Sequence, residues 1–347
     1  MRLHHTALAV LGTSALLFTG CSTSTTLKIK RAPELSLPGV KVVKVKEFDL
    51  TGDLDLDLTS KGGLLGAVVG TALDAGTNAL AAKKDSALQK QNLTGLKQAI
   101  VQNGYYKVTE GDDYDVLISG SSVYDVRDEG EEINDNGKTS YQIKRKSTAQ
   151  LKFNVLDKAG SIIAASDATG VQVSTSTASS HTEARSNVQS WQTLVRKSFE
   201  DANSALVKKI APYYVQENRT FETGDDSNIK DANKSARGGA WDAAVMTWKA
   251  TQNGSPKDKV ASLHNLAIYD EYEGNVEEAL AKYQQVQTLA PTSSHAIDVA
   301  RTQGRLAEIQ KLKDADASRT AKPAATPATT APVAAPAKAN APTSINK

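Results

Sequence analysis

Leu151-Lys152-Phe153-Asn154-Val155-Leu156-Asp157-Lys158-Ala159-Gly160 reads as a strand running into a tight turn. Leu151, Phe153 and Val155 fall on one face of a pleated strand and Lys152 and Asn154 on the other, so one face is buried and one is wet. Asp157-Lys158-Ala159-Gly160 supplies the hairpin turn that follows.

Working outward, segments 105–108, 115–126, 139–156 and 161–173 share this alternation or a β-rich composition, with Gly-containing acidic turns between them. Valines and lysines interleave over 40–50 and predict a first strand. In Asp53-Leu54-Asp55-Leu56-Asp57-Leu58 three aspartates share one face. Asp is a poor strand former, so an exposed edge and a loop both fit, and the glycine and terminal glutamate of an EF-hand calcium loop are missing. A helix is expected over 86–102, with Leu88, Leu93, Leu96 and Ile100 on a broad face and Asn103-Gly104 as its stop. The acidic run 128–137 reads as a solvated loop, and the Ser/Thr run 174–180 as another loop. A long helix over 183–210 carries Val188, Trp191, Leu194, Val195, Phe199, Ala202 and Leu206 every three or four residues, and Pro212 stops it. Strand, helices, three or four antiparallel strands, then helix is the order of an α+β layer, not of a doubly wound nucleotide binder.

Residues 62–82 form the most apolar stretch after the N-terminus, with Gly62, Gly66 and Gly70 four apart, a spacing that permits close helix contact. Asp74 interrupts the run short of the roughly 20 apolar residues that a membrane span needs. A buried or partner-facing helix is expected, and it is the candidate for homo-oligomer contacts.

The 347 residues carry 41 basic and 39 acidic side chains, and this balance gives no reason to expect nucleic acid as partner. Cys21 is the only cysteine, which excludes disulfide stapling and thiolate metal clusters. His181, His264 and His295 are far apart and lack zinc-ligand spacing. His181 lies beside Ser179, Ser180 and Glu183 in a hydroxyl-rich loop, and Gly62-Gly63-Leu64-Leu65-Gly66 lacks the Lys-Ser/Thr ending of a phosphate loop. No catalytic residues, metal or cofactor are expected, and the chain is read as a non-enzyme.

Ahead of Cys21 stand a basic start, Met1-Arg2-Leu3-His4-His5, and an apolar run from Ala7 to Phe18, the anatomy of a signal peptide over 1–20. Leu16-Leu17-Phe18-Thr19-Gly20-Cys21 resembles the lipobox of bacterial lipoproteins, with Phe18 where that pattern prefers Leu. The resemblance implies acylation of Cys21 and, because Ser22 replaces the Asp of inner-membrane retention, an anchor on the periplasmic face of the outer membrane. Residues 21–38, with a Ser/Thr run, Lys28-Ile29-Lys30-Arg31, Pro33 and Pro38, read as an extended lipidated tether.

The order of elements over 39–217 resembles the α+β domain of the curli-secretion channel subunit (CsgG-like) and related outer-membrane lipoproteins, a resemblance that brings no catalytic residues. Residues 260–293, within a helical region 225–315, resemble a tetratricopeptide (TPR) repeat: Leu263, Leu266 and Ala267 in its first helix, Gly274 at the turn, Ala279, Tyr283 and Val286 in the second, Pro291 at the exit. Asp270 stands at a usually aromatic position, with Tyr269 and Tyr272 nearby. One period back, Gly239, Ala244 and Trp248 form the second half of a repeat whose first helix, 227–236, is degenerate. A final helix is expected over 294–312. The tail 316–347, rich in Ala, Pro and Thr, is expected to be disordered.

The TPR resemblance implies a concave surface for partners, with Leu263, Leu266, Ala267, Tyr269, Gly274, Ala279, Tyr283, Pro291 and Trp248 as the partner-binding set. Two readings of function stay open. One is a lipid-anchored adaptor for periplasmic or envelope proteins; the other is an oligomeric secretion-channel subunit, which would need amphipathic membrane strands of about 9–11 residues. Segment 141–146 mixes Gln142, Lys144 and Lys146 with Arg145 on the opposite face and shows no clean lipid-facing stripe.

Overall fold

The computed structural model describes residues 24–56 and 86–320; Cys21, the glycine-spaced segment 62–82 and the chain from 321 onward lie outside them. An α+β domain precedes an all-helical array. Its sheet follows the order β4-β2-β5-β6-β7: β2 (Val42–Val45), β4 (Lys107–Thr109), β5 (Val116–Asp135), β6 (Lys138–Leu156) and β7 (Ile162–Ala178), with β3 (Asp49–Asp55) also paired to β5. The Leu151–Val155 alternation lies in β6 with Leu151, Phe153 and Val155 buried. They pack under α1 (Ser86–Asn103) and α3 (Trp191–Ile210) in one core with Ile118, Leu96, Phe199 and Leu206. Close seating of α3 on the sheet requires Gly170, where a Cβ would stand 2.0 Å from the Ser198 carbonyl oxygen.

Several expectations change at this level. The strand predicted over 40–50 is two, because burial alternates through Val43 and Val45, then slips past exposed Lys46 and Glu47 before resuming at Phe48 and Leu50. Beyond it β3 takes up the aspartates as a strand: Leu54 is buried while Asp53 and Asp55 face solvent. The acidic run 128–137 is no loop but the end of the β5–β6 hairpin, closed by Asn136 and Gly137 with φ of 50° and 78°. Cross-strand cations make that possible: Lys144 meets Glu129 at 3.3 Å, and Arg145 holds the buried side chain of Asp128 through two bonds of 2.6 Å. Segment 174–180 likewise belongs mostly to β7, which pairs Ala178 with Tyr141. The expected 183–210 helix is broken into α2 (His181–Asn187) and α3. Val188 leaves helical geometry to pack on Ile143, Gln189 gives its carbonyl to Arg145, and Ser190 caps α3.

The tether expectation is overturned most clearly. Ser24–Arg31 is a strand, β1, paired antiparallel along its whole length with β8 (Tyr213–Thr220), which the reading of Pro212 as a simple stop did not anticipate. Leu27 and Ile29 point inward and Lys28 outward, an ordinary two-residue period that the neighbouring prolines and hydroxyls masked. The array comprises α4 (Ser227–Arg237), α5 (Trp241–Thr251), α6 (Pro256–Glu273), α7 (Val276–Leu289) and α8 (Ser293–Thr320). So the helix called degenerate forms as α4, and the last helix continues well past 312 into the region assigned to the tail. Among the described residues no helix is long and apolar enough to cross a membrane.

Candidate functional site

Helix α6 is the centre of the array, and its local sequence fixes both ends. Ser255 and Asp258 form a reciprocal capping box around Pro256, the first helical residue, and Gly274 closes the helix at φ 85°, a left-handed conformation that favours glycine. Every residue from Ala261 to Ile268 is buried, so α6 shows no open face along that length. One side packs on α5 and α7. The other meets the β1–β8 ribbon, which also touches α4 and α8.

The face on which a repeat array would be expected to hold a peptide is therefore filled by the chain's own ribbon. Leu27, Ile29 and Phe221 join Ile229, Ala232, Trp248, Ala261 and Ile268 in one core. Asn265 of α6 binds the backbone of Glu222 at both groups, accepting from its N–H at 2.8 Å and donating to its carbonyl at 3.0 Å. The same amide donates to Asn233, which receives the Trp248 indole N–H at 3.0 Å.

A buried charge cluster locks the arrangement. Glu271 accepts Arg219 of β8 at 2.9 Å, Arg301 of α8 at 2.5 and 2.9 Å, and the Tyr283 hydroxyl at 2.7 Å. Burial pushes the Glu271 carboxyl up, but the hydrogen bonds and charges of Arg301 and Arg219 override it and hold the carboxyl below its ordinary value. Asp298 behaves alike: burial is outweighed by His264 at 3.1 Å and Arg301 at 3.0 Å. His295 faces two acceptors, the Ala290 carbonyl at 2.6 Å and Glu222 at 2.5 Å, an arrangement that favours the charged imidazole, in which both ring nitrogens donate. Burial pulls its pKa down, and these partners more than reverse it. At the ribbon's far end Arg31 binds Glu217 and Glu308, and α8 goes on to set Arg319 4.0 Å over the Tyr105 ring. The ribbon is thus tied to α8, and α8 in turn reaches the sheet domain at Tyr105.

The residues expected to bind partners divide accordingly. Leu263, Leu266, Ala267, Ala279, Tyr283 and Trp248 are buried and hold helices together, so they cannot face a partner. Tyr269 is half-buried; Gly274 and Pro291 are exposed at helix ends. Asp270, in the position usually aromatic, is buried against Lys282, and burial pushes its carboxyl up despite that cation. The expected set omits Arg219, Glu222, Glu271, His295, Asp298 and Arg301, polar residues that the apolar periodicity of the helices does not single out. Among the described residues no three His, Cys, Asp or Glu side chains gather as metal ligands would. Outside the core the array exposes Tyr272, stacked 4.5 Å from Trp241, and Met246, 74% exposed, on a groove of about 750 Å³ between α4 and α5.

Residues 230–311 match a family described as a domain of unknown function (DUF6340), a stretch running from within α4 into α8 and leaving out β1 and β8. No curated protein matches the chain. Among solved structures, the chain is similar to a neuraminyllactose-binding hemagglutinin homolog from Helicobacter pylori, at 11% identity and TM-score 0.25 over 51% of this chain and 82% of that one. It is also similar to a minor lipoprotein from Acinetobacter baumannii, at 17% identity and TM-score 0.19 over 48% and 92%. A third is the PelC dodecamer from Paraburkholderia phytofirmans, at 10% identity and TM-score 0.18 over 52% and 96%. At such identities and scores they carry no inference about this chain.

Proposed function

We propose that this protein is a lipid-anchored, non-catalytic adaptor on the periplasmic face of the outer membrane, acylated at Cys21, in which a CsgG-like α+β domain and a TPR-like array hold envelope proteins in place. The observation that carries this reading is the β1–β8 ribbon packed against α6. It seats the strand that begins three residues after Cys21 in the core of the array, so partners bound to the array would be kept near the anchor. Because the ribbon covers that face of the array, the partner surface is the side that carries Met246 and Tyr272.

The channel reading gains less support. Strands β5, β6 and β7 have 20, 19 and 17 residues, ample length for a span. Yet one face of their outer half bears Glu129, Glu131, Gln142 and Lys144, while the other is covered by α2 through Ile143, Ala184 and Val188. Neither face offers an apolar stripe to lipid.

Photo-crosslinking in cells tests the proposal. A photoreactive residue at Met246 or Tyr272 should yield adducts with envelope proteins that vanish in the Cys21→Ala variant, while one at Leu27 should yield none. Adducts from Leu27 alone, or rings with a central pore in electron micrographs of the detergent-extracted protein, would contradict it.

A further inference from the structure

The ribbon has a second face, and its chemistry differs sharply from the first. Its only carboxylate, Glu217, points inward to Arg31 and Arg219. Directly paired residues share a face, so Lys28 with Gln216, Lys30 with Tyr214 and Thr26 with Asn218 make up the outward side, with two cations and no acid. Among the described residues neither lysine has a carboxylate within ion-pair distance. Tyr214 is 58% exposed, and the Lys28 ammonium lies 4.6 Å from the centre of its ring. An exposed amphipathic ring beside lysines that have no carboxylate partner among the described residues suits the boundary between headgroups and water.

Position makes the occupant specific. Ser24 opens β1 three residues after Cys21, a reach of at most about 11 Å even fully extended. An acyl anchor at Cys21 would hold this end of the ribbon inside the headgroup layer. We propose that the outward face of the β1–β8 ribbon is a contact surface for anionic phospholipid headgroups and lies flat on the bilayer that holds the anchor. The inference rests on the lipid-anchor reading and adds to it an orientation: ribbon toward the membrane, with α4–α7 on the opposite side of the ribbon. Each lysine at an anionic surface is worth about a fivefold gain in local binding, so the pair supplies about twenty-five-fold.

The acylated full-length protein carrying Gln216→Cys labelled with a fluorophore, bound to vesicles of phosphatidylethanolamine and phosphatidylglycerol containing a headgroup quencher, tests this. The label at 216 should be quenched, and the same label at Met246→Cys should not. Lys28→Glu with Lys30→Glu should abolish the quenching at 216 while the protein still floats with the vesicles, and high salt should weaken it in the parent protein without any substitution. Protein that floats with 216 unquenched, or quenching indifferent to both salt and charge reversal, overturns the membrane face alone. Protein that fails to float overturns the anchor reading, and this inference with it.

Discussion

The sheet and the array both bury an arginine–carboxylate contact, but they close over very different distances along the chain. Arg145 and Asp128 sit 17 residues apart on neighbouring strands of one hairpin. Arg219 reaches Glu271 across 52 residues, and the ribbon that carries Arg219 joins Thr26 to Asn218 across 192. The sheet's outer half therefore closes by local pairing, whereas the array is complete only when the N-terminal strand arrives. A boundary drawn by composition at residue 39 cuts through the core of the C-terminal body.

The largest expected effect follows from that difference. Replacing Leu27 by Asp buries an unpaired charge among Ile229, Ala261 and Trp248, at a cost above about 4 kcal/mol. Hydrogen exchange should show α4–α7 losing protection while β5–β7 keep theirs. Equal loss in both bodies would mean that they unfold as one, and no loss in either would restore the tether.

Next in size, Glu271→Ala strands Arg219 and Arg301 without their buried acceptor and should destabilise the array by about 3–5 kcal/mol in denaturant unfolding. Arg145→Ala exposes the comparison from the other side. It strands Asp128 and should cost about 3 kcal/mol, confined to the β5–β6 hairpin and α2. If the two variants unfolded the same segments, the distinction between local and distant closure would fail.

Protonation separates the regions more finely. The folded pKa of His295 lies above its ordinary value, so its contribution is complete below about pH 6.5 and is lost as pH rises through the folded pKa. Glu271 and Asp298 lie below theirs, so they contribute above the ordinary carboxylate range and lose that contribution as pH falls through their folded values. Melting of the array should thus decline on both sides of a mildly acidic optimum, and His295→Gln should remove the alkaline slope only. The smallest effect is at the α6 cap: Ser255→Ala loses the bond from the Asp258 N–H and should cost about 1 kcal/mol.

The same contrast explains what could be read in advance. Leu151 to Val155 and the following turn declared the hairpin because both partners are adjacent in sequence and their apolar period is unbroken. Leu263, Leu266, Ala267, Ala279 and Tyr283 announced paired helices for the same reason, although their burial makes them the frame of the site and not its surface. The acidic run 128–137 misled because the cations that pair with it lie on the facing strand. Leu27 and Ile29 carried a clear period of two, yet nothing local could say what they cover: the apolar surface they meet is assembled from α4 and α6, some 200 positions away.

Hydrogen exchange at the amides of β1 in the full-length protein tests the central claim most directly. If β1 is the strand that completes the array, the β1 amides hydrogen-bonded to β8 exchange only when α4–α7 open, at the same rate and with the same denaturant dependence. Exchange at the rate of an unstructured peptide while the array stays protected would contradict it.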